Sequence, residues 1–286
     1  MSDTGRTGRR AAVLGAPIAH SLSPVLHRAA YAAMGLDGTW SYEAVECGEP
    51  ELAGFLDGLG PEWAGLSLTM PLKRVALDLA DTVTDLAAGV GGANTLVLRG
   101  GRRLADNTDV HGIVAALTEA GVAAPGSAPV AALVLGGGAT AASALAALAR
   151  LGTAEAVLAV RTPERAAETV AVGERFGLAV KVVTLDRVRD HLPAELVVST
   201  LPGRAADALA EPVAASGAAL FDVVYAPWPT ALAASVRRAG GTVVGGFPML
   251  LHQAVRQVAL MTGRDDVPVE AMRAAGEAEL ARRAGR

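Results

Sequence analysis

Two short stretches carry the residues best suited to proton chemistry, Ser67-Leu68-Thr69-Met70-Pro71-Leu72-Lys73 and Asp106-Asn107-Thr108-Asp109. Each falls where an apolar, strand-like run gives way to a loop, so together they offer an amine and a carboxylate to one cleft. Lysine is scarce in this chain: of 25 basic residues only Lys73 and Lys181 are lysine. A guanidinium stays charged at any working pH, whereas an amine can be tuned to give and take a proton. Alone, Lys73 reads as a solvated residue of a first helical turn. Its neighbours make it a candidate acid.

Further polar groups fall at element ends. Ala19-His20-Ser21-Leu22-Ser23-Pro24 sets two hydroxyls before a helix, and Gly92-Ala93-Asn94-Thr95 sets an amide at a strand start. Singly, Ser21 or Ser23 is a helix cap and Asn94 a turn residue. Jointly with Thr69, Lys73 and Asp109 they supply donors and acceptors for a small polyhydroxylated molecule. Later in the chain, Leu133-Val134-Leu135-Gly136-Gly137-Gly138-Ala139 is a strand, a glycine turn and a helix start. Such a turn brings backbone N–H groups close to a pyrophosphate at the positive end of a helix dipole. The G-x-G-x-x-G spacing is incomplete, because Ala142 or a nearby small residue must stand for the last glycine. At the end of the following strand, Arg161, Thr162 and Arg165 stand where an acidic residue would meet a free ribose hydroxyl. They suit a 2′-phosphate, hence NADP; the plainer alternative is a solvated helix start.

The elements that must position these groups alternate. Strands are expected at Ala11–Leu14, Ser41–Val45, Gly65–Thr69 and Asn94–Arg99, with helices starting near Pro24, Glu49, Pro71 and Thr82. This alternation argues for an α/β layer with a largely parallel sheet. A stricter rhythm follows, with nearly all-apolar strands at Val130–Leu135, Ala156–Val160, Val180–Val183, Leu196–Ser199 and Ala219–Val223. That is a doubly wound, Rossmann-type domain covered on both faces. Helices at Met249–Met261 and Val269–Arg282 then return to the first domain. The expected division is 1–109, completed by 247–286, for substrate, and 110–246 for the dinucleotide, with the helix after Asp109 as a hinge.

Composition bounds the remaining classes. The chain has 286 residues, 51% hydrophobic and 19% charged, with a net charge of −4. It can fill two well-packed domains and carries no basic footprint for nucleic acid. Cys47, the single cysteine, rules out an internal disulfide and fits a reducing cytoplasm. The uncharged run Pro129 to Ala149 has the length of a membrane span, but Gly136–Gly138 split it into strand and helix. The first ten residues read as a frayed tail. His20, His27, His111, His191 and His252 lack metal-ligand spacing and read as surface or capping residues.

Taken in order, these motifs resemble the shikimate dehydrogenase family over nearly the whole length. The likeness runs from Leu14-Gly15-Ala16-Pro17-Ile18-Ala19-His20-Ser21 to Met249-Leu250-Leu251-His252-Gln253-Ala254. It implies an oxidoreductase that reduces 3-dehydroshikimate to shikimate with NADPH in chorismate biosynthesis, as a cytoplasmic monomer or homodimer. The resemblance casts Lys73 and Asp109 as the catalytic pair. It places Ser21, Ser23 and Tyr225 on the substrate carboxylate, and Thr69, Asn94 and Gln253 on ring hydroxyls. Gly136, Gly137, Gly138 and Ala139 become the pyrophosphate loop, Arg161, Thr162 and Arg165 the 2′-phosphate clamp, and Gly246 a point of backbone approach to the nicotinamide. The chain departs from the family pattern at Gly136-Gly137-Gly138-Ala139-Thr140, at Val160 where an asparagine is usual, and at Gly245-Gly246 in place of Asp-Gly. Rival readings are an NAD-preferring quinate/shikimate dehydrogenase, a methylenetetrahydrofolate dehydrogenase, and a non-catalytic metabolite-binding member of the fold.

Overall fold

The computed structural model describes residues 8–123, 127 and 131–285. Two compact units emerge, one from residues 1–108 with 253–286 and the other from 109–252.

The first unit runs β1 (Arg9–Gly15), α1 (Ser23–Ala33), β2 (Trp40–Glu46), α2 (Glu49–Asp57), β3 (Trp63–Leu68), α3 (Val75–Asp78), β4 (Thr82–Val83), α4 (Asp85–Val90), β5 (Thr95–Arg99) and β6 (Arg102–Asp106). Its six-stranded sheet has the order β2-β1-β3-β5-β6-β4. β1 pairs parallel with β2 and β3, but β5 lies antiparallel to both β3 and β6. The sheet is therefore mixed rather than largely parallel. β5 and β6 form a hairpin across Gly100 and Gly101, both at positive φ. β6 escapes a pattern search because Arg102-Arg103-Leu104-Ala105-Asp106 is mostly polar and half-exposed.

Two expected helix starts also move. The segment at Pro71 forms turns and becomes helical only at Val75, for a single turn. Thr82 belongs to β4; the helix begins at Asp85, where the Thr84 hydroxyl accepts from Ala87 N and caps it. At the chain start, residues 1–7 lie outside the described residues, but Arg9 and Arg10 belong to β1 rather than to a tail. The Arg10 guanidinium sits 4.4 Å from the Trp63 ring centroid and bonds Glu43 at 2.6 Å.

The second unit contains α5 (Asp109–Glu119), β7 (Ala132–Leu135), α6 (Ala139–Leu151), β8 (Glu155–Val160), α7 (Ala167–Arg175), β9 (Ala179–Thr184), β10 (Leu196–Ser199), α8 (Ala210–Ser216), β11 (Ala219–Asp222), α9 (Ala231–Arg238) and β12 (Val243–Val244). All its strand pairs are parallel, in the order β12-β11-β10-β7-β8-β9. Counted from β7, this is the 3-2-1-4-5-6 order of a Rossmann sheet, whose direction reverses beside its first strand. β7 and β10 are buried at every position, as central strands covered by helices must be. The uncharged run that reaches Ala149 is accordingly strand, turn and helix; Val130 lies outside the described residues, and no described helix is long and apolar enough to cross a membrane.

The chain ends with α10 (Gly246–Thr262) and α11 (Val269–Ala284). The division between units falls inside α10, whose later turns rejoin the first unit. There α11 packs on α1, and the Arg283 guanidinium donates to the His20 carbonyl at 2.6 Å.

His27 on α1 is not a surface residue: it is fully buried and stacks on Tyr42, with ring centroids 3.9 Å apart. Desolvation drives its pKa from 6.5 down to about 3, against a weaker opposing pull from Gln257. Because the unfolded chain takes the proton first, His27 favours the fold fully above pH 6.5, and that contribution is lost as pH falls from 6.5 toward 3. His27→Phe keeps the stack and removes the titration. Between pH 6 and pH 5 the wild type should lose about 1.2 kcal/mol more unfolding free energy than this variant, measured by urea titration. Parallel profiles would contradict the assignment.

Candidate active site

The turn that carries Thr69 and Lys73 is held by its backbone on two sides. Thr69 N donates to Leu14 O at 2.9 Å, and Ala16 N donates to Met70 O at 3.0 Å, across the end of β1. On the other side Leu68 N donates to Asn94 O and Ala93 N to Lys73 O, each at 2.7 Å. The crossing at β1 requires Gly15, where a Cβ would fall 2.3 Å from Thr69 Cγ2 and 2.9 Å from Met70 O. Lys73 is half-buried, and Met70 beside it is 67% exposed.

The segment 106–108 closes against the same place. The Asp106 carboxylate accepts from Thr84 Oγ1 and from Asn107 N, both at 2.8 Å, and Asn107 Nδ2 donates to Gly92 O at 2.8 Å. Thr108 N donates to Asn94 Oδ1 at 2.8 Å, while Asn94 Nδ2 donates to Thr108 Oγ1 at 2.9 Å and to Gln253 Oε1 at 3.2 Å. Asn94, Thr108 and Gln253 thus form one buried polar cluster. Asp109, next in the chain after Thr108 and also buried, opens α5.

At the start of α1, Ser21 Oγ accepts from Ser23 N at 3.2 Å; Ser21 is half-buried and Ser23 buried. The first unit therefore holds Ser21, Ser23, Thr69, Lys73, Asn94 and Gln253, whereas Tyr225 lies half-buried in the loop after β11 of the second unit.

In the second unit the glycine turn leaves β7 at its carboxyl end. Gly136 has φ +104° and donates to Ala159 O at 2.9 Å. Gly137 O accepts from Thr169 Oγ1 at 2.8 Å, which ties the turn to α7. Gly138 is exposed and forms the N-cap of α6, with no side chain capping the helix and no acidic residue in its first turn. Uncapped N–H groups beside a turn without side chains fit a pyrophosphate. Arg161, Thr162 and Arg165 are exposed just past β8 and can hold a further phosphate. Val160, at the position where an asparagine is usual, lies against Gly137, where a Cβ would come within 2.9 Å of Val160 Cγ1.

Gly246 has a reason internal to its own unit. A Cβ there would lie 2.0 Å from the Val223 carbonyl oxygen, and Gly246 N donates to Val224 O at 3.1 Å. Two contributors to the polar cluster carry no expected role: Thr95, which stands inside the Gly92–Thr95 motif, and Gln257, which lies outside every motif. The spacing Gln253 to Gln257 is one helical turn, which sets both amides on one face and is the available signal.

The chain matches known proteins over most of its length. The family model for the shikimate dehydrogenase substrate binding domain matches residues 13–96, and that for the shikimate 5′-dehydrogenase C-terminal domain matches 246–275. Between them, residues 132–244 match the saccharopine dehydrogenase NADP binding domain. A shikimate dehydrogenase (NADP(+)) of Methylobacterium radiotolerans is 39% identical over 261 residues, covering 86% of this chain and 88% of the relative. The chain belongs to the shikimate dehydrogenase family. Among solved structures, the Mycobacterium tuberculosis shikimate dehydrogenase aligns with a TM-score of 0.86 at 46% identity, over 94% of this chain and 99% of that one. The Thermus thermophilus enzyme in complex with NADP(H) and shikimate aligns at 0.79 and 34% identity, over 94% and 98%.

The pinned crossing yields a direct test. Gly15→Ala forces Thr69 and Met70 away from β1 and should cost about 1–3 kcal/mol, the usual range for overpacking. Urea unfolding at pH 7 measures it, and an unchanged midpoint would show that the crossing is loose.

Proposed function

We propose that this protein reversibly reduces 3-dehydroshikimate to shikimate with NADPH. The observation that supports this most is the buried cluster of Asn94, Thr108 and Gln253 beside the backbone-pinned turn of Lys73. Such an arrangement suits a small ring bearing adjacent hydroxyl groups, with a proton donor at hand. Family membership supplies the reaction class.

Bound NADPH would supply a hydride to the C3 carbonyl carbon. As negative charge grows on the carbonyl oxygen, the Lys73 ammonium stabilises it and delivers the proton. Asp109 orients the amine and accepts from the neighbouring ring hydroxyl. Ser21, Ser23 and Tyr225 hold the carboxylate, and Thr69, Asn94 and Gln253 hold ring hydroxyls. Gly136, Gly137, Gly138 and Ala139 bind the pyrophosphate, while Arg161, Thr162 and Arg165 take the 2′-phosphate and favour NADP over NAD. Gly246 serves by letting α10 start close against Val223, and the buried thiol of Cys47 suits a cytoplasmic setting.

Formation of NADPH at 340 nm (roughly the nicotinamide absorption band) on adding shikimate and NADP tests the activity, with quinate and NAD as controls. Turnover with shikimate is expected; turnover with quinate alone would contradict the proposal. Lys73→Ala should lower kcat by about 10²–10⁴-fold with little change in shikimate KM. An unaltered kcat would remove Lys73 from the acid role. The double change Arg161→Ala with Arg165→Ala should raise NADP KM by at least about tenfold and leave NAD KM unchanged. Equal losses for both cofactors would refute the clamp.

A further inference from the structure

A second layer of buried polar groups lies behind the amide cluster. Tyr42 OH donates to Ser67 Oγ at 2.6 Å, and Ser67 Oγ donates to Gln257 Oε1 at 2.8 Å. Gln257 Nε2 donates to Thr95 Oγ1 at 3.0 Å and to Asn94 O at 3.1 Å, and Thr95 Oγ1 donates to Asn94 Oδ1 at 2.9 Å. Every donor in this chain points the same way, from the Tyr42 phenol toward the Asn94 side chain. All five residues are buried, so each must find its partners inside the protein.

Direction follows from what each group can do. The Tyr42 phenol keeps its proton, because burial holds its pKa far above the ordinary value, offset only in part by the Ser67 and Ser23 hydroxyls, and it donates to Ser67 because the Ser67 proton goes to Gln257 Oε1. Neutral His27 offers its Nε2 proton to Gln257 Oε1, at 3.4 Å. With Ser67 and His27 both donating to that oxygen, the Gln257 amide is oriented, and its NH2 faces Thr95 and the Asn94 carbonyl. Thr95 then spends its proton on Asn94 Oδ1, which also accepts from Thr108 N. The Asn94 amide is left with its NH2 toward Thr108 and Gln253.

We propose that Tyr42, Ser67 and Gln257 are positioning residues that fix the amide orientation of Asn94, so that a substrate hydroxyl replacing Gln253 Oε1, the longer of its two acceptors at 3.2 Å, meets an N–H donor. The inference rests on the reading that Asn94 binds substrate. Polar networks of this kind act as units, so loss of one member is felt at the far end.

A mutant cycle read in steady-state kinetics tests it. Gln257→Leu should raise shikimate KM by about tenfold, and Tyr42→Phe and Ser67→Ala by about 3- to 10-fold each, with NADP KM unchanged. Tyr42→Phe preserves the stack on His27, so it and Ser67→Ala carry the test if Gln257→Leu fails to fold. In an Asn94→Ala background each change should add less than about twofold, because its effect passes through Asn94. Full multiplicative effects in that background would overturn the proposal. So would an unchanged shikimate KM in the three single variants while Asn94→Ala raises it. Should Asn94→Ala itself leave shikimate KM unchanged, the substrate reading of Asn94 fails, and the positioning role with it.

Discussion

A primary amide shut away from water must satisfy its donors and acceptor within the protein, and Asn94 is 2% exposed. Its main-chain carbonyl accepts from Leu68 N, its side-chain oxygen from Thr108 N, and its NH2 group donates to Thr108 and Gln253. Those partners come from β3, from the loop before α5 and from α10. Satisfying one residue, main chain and side chain together, therefore draws together three segments distant in sequence, and the first unit closes with residues 253–286 in place. Leaving a buried amide unpaired costs about 1–3 kcal/mol per group, enough to disfavour arrangements that separate these segments.

Around that amide the backbone does most of the positioning. The Lys73 turn is held at its main chain, by Ala93 N on one flank and by the β1 crossing at Gly15 on the other. The second unit uses a different device. Its glycine turn stands at the carboxyl end of the central strand, where the strand order of the parallel sheet reverses, and an uncapped helix follows. One unit presents side chains selected by hydrogen-bond direction; the other presents backbone N–H groups.

Legibility differed with the physical basis of each element. The Rossmann strands were readable because strands buried on both faces must be nearly all apolar, as Leu196–Ser199 is. Arg102–Asp106 was not, since a half-exposed hairpin strand carries no such run. The Thr82 helix start failed because Asp81-Thr82-Val83-Thr84-Asp85 contains two capping threonines, and only the structure selects Thr84. Pro71 suggests a helix start, yet main-chain bonds to Ala93 and β1 hold the segment after it as turns. A lone histidine such as His27 reads as a surface or capping residue, because the sequence gives no sign of the aromatic stack that buries it. Motif residues such as Asn94, Lys73 and Asp109 stood out by type and spacing. Gln257 and Tyr42 did not, and Ser67 stood in a motif without a role of its own, because the partners of these groups lie up to 230 residues away.

The central claim is that the polar groups gathered around Asn94 and Lys73 form a seat for a ring bearing several hydroxyls. A crystal structure of the protein grown with shikimate addresses it most directly. The account predicts the carboxylate at Ser21 and Ser23, with ring hydroxyls on Asn94 Nδ2, Lys73 Nζ and Gln253. Shikimate density lying elsewhere on the protein, with the Asn94 amide making only its internal bonds, would contradict it.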